Sequence, residues 1–350
     1  MNKGIVKQVV GIDIGKDNFY VCYMVQDCNS KVLIKGTKSF ENSFPGMELF
    51  YQWSEKRNKH SELPIIYVME ATGVYYEELA YHLHNKSAKV SVQLAQKIKY
   101  FAKSCNLKTK TDKVDAKMIA QFGIEKTLTG TELWTPPSKE FKLIRDLARE
   151  HTSLKQSQTA AKSQLHALQY AHGIHKEVIE MKKQQIEFYS NQIDATEKQI
   201  HKLVDLDEGL SSKIEKIETV KGLGFITIIK VLSETNGFLL FTSIRQLVSY
   251  SGLDVIEKES GKFKGKTKIS KKGNARIRSA LYMPAMTATQ FNEDLKIFYN
   301  RVNEGRTIKR QGLIAVMRKL LVLIYTLWKK DEAYIVGYQR ERITSGNVED

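Results

Sequence analysis

Val9-Val10-Gly11-Ile12-Asp13-Ile14-Gly15 decides how this chain is read. Its apolar residues run on without polar alternation, the pattern of a strand buried on both faces, and Gly15 ends it. An acid inside such a run is costly unless it is paired or coordinates a metal. Ile65-Ile66-Tyr67-Val68-Met69-Glu70 repeats the theme, a second buried strand ending in an acid, with Ala71-Thr72-Gly73 behind it. Lys110-Thr111-Asp112-Lys113-Val114-Asp115-Ala116 adds two more acids at a helix start, three residues apart and so on one face. Carboxylates at two strands and one helical turn can converge into an oxygen cage for Mg²⁺. Such cages hold the attacking and leaving oxygens of a phosphodiester. Three of these acids also have a plain structural reading. Asp13 could form a turn, Glu70 could favour the helix that follows, and Asp112 could simply begin its own helix.

Working outward, three strands are expected at 5–14, 19–25 and 32–40, with a helix at 46–56. A strand at 65–70, a helix at 74–84, a strand at 89–94 and helical segments through Ile119 and Phe122 follow. A meander followed by alternating helices and strands suggests a mixed sheet with helices on its faces, Asp13 central on the first strand. Gly11-Ile12-Asp13-Ile14-Gly15 suits two folds: an actin-like or sugar-kinase ATPase, or a ribonuclease-H-like nuclease. The ATPase needs a second Asp-Gly-rich phosphate loop in a duplicated domain. The sequence offers none, and the nuclease reading also accounts for the other three acids.

Thr135-Pro136-Pro137 is a linker, and Ser138 is an N-cap with Glu140 in the first turn. Leu147, Leu154, Ala161 and Leu168 then recur every seven residues, as do Ile179, Ile186, Ile193 and Ile200, with His172-Gly173 between the halves. This predicts an antiparallel coiled-coil pair whose seam closes within one chain or between chains. With so polar an exterior it favours a homo-oligomer, dimer or tetramer. The expected division is 1–137, 138–216 and 217–350.

Lys and Arg outnumber Asp and Glu by 55 to 39, giving a net charge of +16 and a pI near 9.4. That excess favours a polyanionic partner, nucleic acid before membrane. Cys22, Cys28 and Cys105 have no zinc-site or disulfide spacing, which fits a reducing cytoplasm. No signal peptide is visible, and the apolar run 320–328 is too short to span a bilayer, so no membrane partner is expected.

The last third opens with Thr219-Val220-Lys221-Gly222-Leu223-Gly224-Phe225, glycines before a helix, as in the hairpin of a helix-hairpin-helix clamp on a DNA backbone. From Glu257 to Arg278 cations alternate with glycines. Lys262, Lys264, Lys266, Lys268, Lys271, Lys272, Arg276 and Arg278 are candidates for a nucleic-acid backbone, as are Lys108, Lys110 and Lys113 around the paired acids. A solvated charged hairpin is the plain alternative.

Taken together, these motifs resemble the DEDD transposases of bacterial insertion sequences whose recombinases are guided by a bridge RNA. The resemblance rests on Gly11-Ile12-Asp13-Ile14-Gly15-Lys16, Glu70-Ala71-Thr72-Gly73 and Lys110–Ala116 in the first half. In the second half it rests on Val220-Lys221-Gly222-Leu223-Gly224, Tyr250-Ser251-Gly252-Leu253, Glu259-Ser260-Gly261-Lys262 and Ile269-Ser270-Lys271-Lys272-Gly273-Asn274. Lys221 departs from the family, which commonly has proline there. The resemblance implies a RuvC-like domain, a coiled coil and a helical transposase domain. It implies Mg²⁺ held by Asp13, Glu70, Asp112 and Asp115, and a serine nucleophile forming a transient phosphoserine link to DNA. Ser260 fits the family's Ser-Gly motif, with Ser251 and Ser270 as rivals. Implied partners are target and element-end DNA and a structured guide RNA, and the acids and serine would act together only in an assembled complex. A RuvC-like resolvase that hydrolyses junctions with the acids alone, or a non-catalytic nucleic-acid binder, would fit the same residues in part.

Overall fold

The computed structural model describes residues 4–71, 73–106, 111–126, 133–239, 241–257, 259–261, 263–265 and 267–337. The chain divides into two compact units, 1–136 and 137–350.

In the first unit, β1 (Ile5–Ile14), β2 (Asn18–Asp27), β3 (Val32–Glu41), β4 (Ile65–Glu70) and β5 (Lys89–Gln93) form one sheet in the order β3-β2-β1-β4-β5. The meander β1-β2-β3 is antiparallel, and β4 and β5 are added parallel. Strand alternation sorts β1 into two faces. Val10, Ile12 and Ile14 pack with α1 (Phe44–Glu55) and α2 (Glu77–Asn85), while Val9 packs with α3 (Ala95–Ser104) and α4 (Asp112–Glu125). β3 is an edge strand with mostly exposed residues, and its exposed Lys35 and Lys38 discourage pairing with another chain.

α4 lies unusually close to the sheet. A Cβ on Gly11 would stand 2.1 Å from the Ala120 nitrogen and 2.5 Å from the Ala116 oxygen, and one on Gly123 would stand 2.6 Å from Val9. The Lys7 ammonium, at the start of β1, donates to the Ile124 carbonyl at 2.7 Å. α4 therefore runs antiparallel to β1, and its first turn lies at the carboxyl ends of β1 and β4.

Two details differ from expectation. Asp13 is the penultimate residue of β1, at the end of the sheet's central strand rather than in the strand's middle. α2 begins at Glu77, because Gly73 at φ +57° and the following turn postpone the helix.

The second unit is helical. α5 (Lys139–Tyr170) is capped by Ser138, whose hydroxyl accepts from the Phe141 nitrogen at 3.2 Å. It pairs antiparallel with α6 (Lys176–Asp205) through His151 with Glu197 at 2.7 Å, Gln158 with Ser190 at 2.7 Å and Gln164 with Lys182 at 2.8 Å. Ile193 and Ile200 are buried, so the seam closes within one chain. α7 (Glu208–Glu218), α8 (Phe225–Glu234), α9 (Ile244–Ser251), α10 (Ala275–Phe291), α11 (Glu293–Asn303) and α12 (Arg310–Lys330) complete the unit. Short strands β6 (255–256), β7 (259–260), β8 (263–264) and β9 (268–269) lie between α9 and α10. Ile144, Ala148, Ile200 and Val204 join the roots of α5 and α6 to this core. α12 is 21 residues, long and apolar enough to cross a membrane by composition, against the expectation of a short run. Its Val316, Leu320, Leu321 and Ile324 are fully buried in the unit's core.

Candidate functional site

Asp13 continues the face of β1 that holds Val9 and Gly11, and Glu70 continues the face of β4 that holds Ile66 and Val68. Both acids thus face the α4 side. Ile12 registers with Met69, so Asp13 and Glu70 end two neighbouring parallel strands, whose spacing is about 4.8 Å. On α4, Asp112 and Asp115 lie four residues before Ala116 and Ile119, on the stripe that packs against the sheet. Thr111 caps this turn, its hydroxyl accepting from the Val114 nitrogen, and the two acids favour a helix N-terminus.

All four acids therefore stand at one end of one sheet face. Asp13, Glu70 and Asp115 are half-buried and each has a polar or electrostatic partner, whereas Asp112 is exposed. The donors are all carboxylate oxygens, the set that a hard divalent cation takes. Among the described residues, no three His, Cys, Asp or Glu side chains stand near enough to hold one ion, so the acids share a location without a closed cage. Lys113 and Lys117 belong to the same neighbourhood. Burial pushes the Cys22 thiol up to about 11, against the pull of these two ammonium groups.

The three serines differ sharply. Ser260 is exposed on β7, paired antiparallel with β8 opposite Phe263, and Gly261 takes the left-handed turn at φ +56°. Its hydroxyl makes no hydrogen bond to another described residue. Ser251 is fully buried and donates to the Val248 carbonyl at 2.8 Å. Ser270 donates to the Asp254 carboxylate and accepts from the Lys272 nitrogen.

Behind the basic loop lies a polar network that the local sequence does not announce. Glu234, at the end of α8 with its side chain 5% exposed, accepts from Arg149 at 2.7 and 3.0 Å and from Asn274 at 2.8 Å. Asn274 caps α10 and donates its backbone N–H to the Tyr250 carbonyl at 2.7 Å. A Cβ on Gly273 would stand 2.2 Å from that same carbonyl oxygen, which explains the glycine. Burial pushes the Glu234 carboxyl up, but hydrogen bonds from Arg149 and Asn274 and the nearby guanidinium charges outweigh it and hold it below the ordinary range.

Of the candidate cations, Lys113, Lys268, Lys271, Lys272 and Arg276 are exposed. Arg278 is committed elsewhere: it donates to the Ser251 carbonyl at 2.8 Å and the Gly273 carbonyl at 3.3 Å, bracing the loop. Lys108, Lys110, Lys262, Lys266 and the side chain of Lys264 lie outside the described residues. Gly222, at φ +103°, packs against Ala288 of α10 with no room for a Cβ, so packing alone accounts for it.

A DEDD transposase family model matches residues 10–169, which include all four acids. A second, the transposase IS116/IS110/IS902 family, matches residues 214–300, which include Glu234, Ser260 and the basic loop. The chain is 27% identical over 335 residues to the pilin gene-inverting proteins of Moraxella bovis and Moraxella lacunata, covering 94% of this chain and 98% of each relative. A yeast mitochondrial Holliday junction resolvase is similar at a TM-score of 0.27 and 19% identity, over 34% of this chain and 79% of that one, too slight a likeness to bear on the fold. The two family matches take in most of the chain and mark it as a DNA transposase/recombinase. The chain belongs to the IS110 family of DEDD transposases.

Proposed function

We propose that this transposase cuts and rejoins DNA by way of a transient phosphoserine at Ser260, with Asp13, Glu70, Asp112 and Asp115 as its metal-binding acids. The observation that carries the reading is the gathering of four carboxylates at one end of one sheet face, on three separate elements. The family implies use of a divalent metal. Mg²⁺ is the ion proposed, and when bound it would neutralise phosphate charge and ease loss of the leaving oxygen. The acids fit that role by donor chemistry and location.

The serine step balances within the chain and the DNA. The Ser260 oxygen bonds to phosphorus as the bond from phosphorus to a deoxyribose oxygen breaks, and the serine proton passes to that leaving oxygen. Attack by a hydroxyl of the incoming strand reverses the step and restores the serine. The phosphodiester bond energy is kept, so rejoining needs no external energy source. The exposed position of Ser260 and the burial of Ser251 support this choice, while Ser270 already holds Asp254. Lys113, Lys268, Lys271, Lys272 and Arg276 would draw in the nucleic-acid backbone. The turn between α7 and α8 would add a helix-hairpin-helix contact. A structured guide RNA that selects the DNA, a homo-oligomeric assembly and a cytoplasmic, nucleoid-associated location complete the proposal.

The test is strand cleavage of labelled DNA carrying the element's ends. Wild type should cut with Mg²⁺ and stop in EDTA. Asp13→Asn and Asp115→Asn keep side-chain shape and should abolish cutting with helical content unchanged. Full cleavage by either variant would remove the acids from the chemistry.

A further inference from the structure

A groove of about 1260 Å³ opens in the second unit between β9, α11 and α12. Its lining includes apolar Leu253, Val302, Ile314 and Val322. Phe298 stands half-buried in its wall, with Arg301 at 5.6 Å and Lys319 at 5.9 Å from the ring centroid. Lys268, Arg306, Arg318 and Lys319 also line the groove, and no lining residue is acidic. Among the described residues, Lys268 and Arg318 form no salt bridge.

We propose that this groove holds a short unpaired stretch of nucleic acid, its bases against Phe298 and the aliphatic lining and its phosphates at Lys268, Arg306 and Arg318. Charge decides the occupant. An apolar protein segment would bury Lys268, Arg306 and Arg318 without a counter-charge, which is costly, whereas each phosphate neutralises one. The aromatic ring decides the form. A duplex offers mainly phosphates to such a surface, and only unstacked bases present faces to a ring. Size agrees. Pockets of about 300–1,000 Å³ hold one drug-sized molecule, so this groove has room for roughly two or three nucleotides. The proposal rests on the reading that the chain acts on nucleic acid. It is tested by binding without metal, so its failure is separate from any failure of the strand-transfer chemistry.

The experiment is fluorescence anisotropy of the full-length protein in EDTA with labelled single-stranded oligothymidylate, single-stranded oligouridylate and a duplex. Phe298→Leu keeps apolar packing and removes the ring face. It should weaken single-strand binding about 5- to 150-fold, the worth of stacking one base, and leave duplex binding unchanged. Arg318→Gln should lower the salt dependence for single strands by about 0.7 per lost phosphate contact. This second variant decides the matter if Phe298→Leu lowers the melting temperature. Loss with only one of the two oligonucleotides assigns the groove to DNA or to RNA. Equal losses on single strand and duplex would make the groove a general phosphate surface and overturn the proposal. So would unchanged single-strand binding in both variants, or a change in molecular mass with Phe298→Leu, which would seat a second copy there.

Discussion

Gly11 has no side chain because α4 fills the space where one would stand. The sequence presented it as one of two glycines flanking an acid, a pattern shared by ATPases and nucleases. Its physical role became plain only with the helix in place, since nothing within ten residues of Gly11 names Ala116 or Ala120 as neighbours. Gly11→Ala would push α4 away from β1, and overpacking of that kind costs about 1–3 kcal/mol or more. A urea melt should show a lowered midpoint. The same helix sets Asp112 and Asp115 beside the strand ends, so strand cleavage should fall with it. Glu234 carries no local signal in the sequence for a related reason: its main partner, Arg149, is 85 residues away. Removing the guanidinium would leave a buried carboxylate poorly paired. Arg149→Met should therefore cost about 3–5 kcal/mol, read by the same melt. The sign with pH follows from the lowered carboxyl. Glu234 contributes stability above the unfolded carboxylate value, about 4.3, and loses it as pH falls towards its lowered folded value. Glu234→Gln should flatten that acid limb, and an unaltered limb would mean that the network does not govern it.

At the scale of elements, the heptads at 147–168 and 179–200 were legible because a period of seven can be read locally. Which helix each heptad faces was not, because the repeat is the same for a partner in the chain and one outside it. The pairs His151–Glu197 and Gln158–Ser190 fix the intrachain register. A second, shorter stripe remains on α6: Val178 is 40% exposed, Met181 66% and Phe188 56%, spaced for one helical face. Exposed apolar stripes mark contact surfaces, and this one replaces the isoleucine seam as the proposed contact between copies. Met181→Lys with Phe188→Lys should lower the mass seen by light scattering while keeping helical content. An unchanged mass would place assembly elsewhere.

At the scale of the molecule, two different kinds of information were available. The first unit was readable because buried strands and acids at strand ends each follow from local pattern. The second unit depends on long-range pairing: the loop from Tyr250 to Arg278 is held by carbonyls, a cap and a buried carboxylate drawn from three helices. That scaffold explains why Arg278, expected among the nucleic-acid contacts, braces the protein instead. It also leaves Ser260 exposed on its own small hairpin, ahead of the cations that would meet DNA. The covalent step at Ser260 is the account's central claim, and a denaturing gel tests it most directly. Labelled DNA with a nick that prevents religation should give a protein–DNA adduct with wild type and none with Ser260→Ala, which should still bind DNA. An adduct that persists in Ser260→Ala, or DNA cut by wild type with no adduct at any time, would contradict the account.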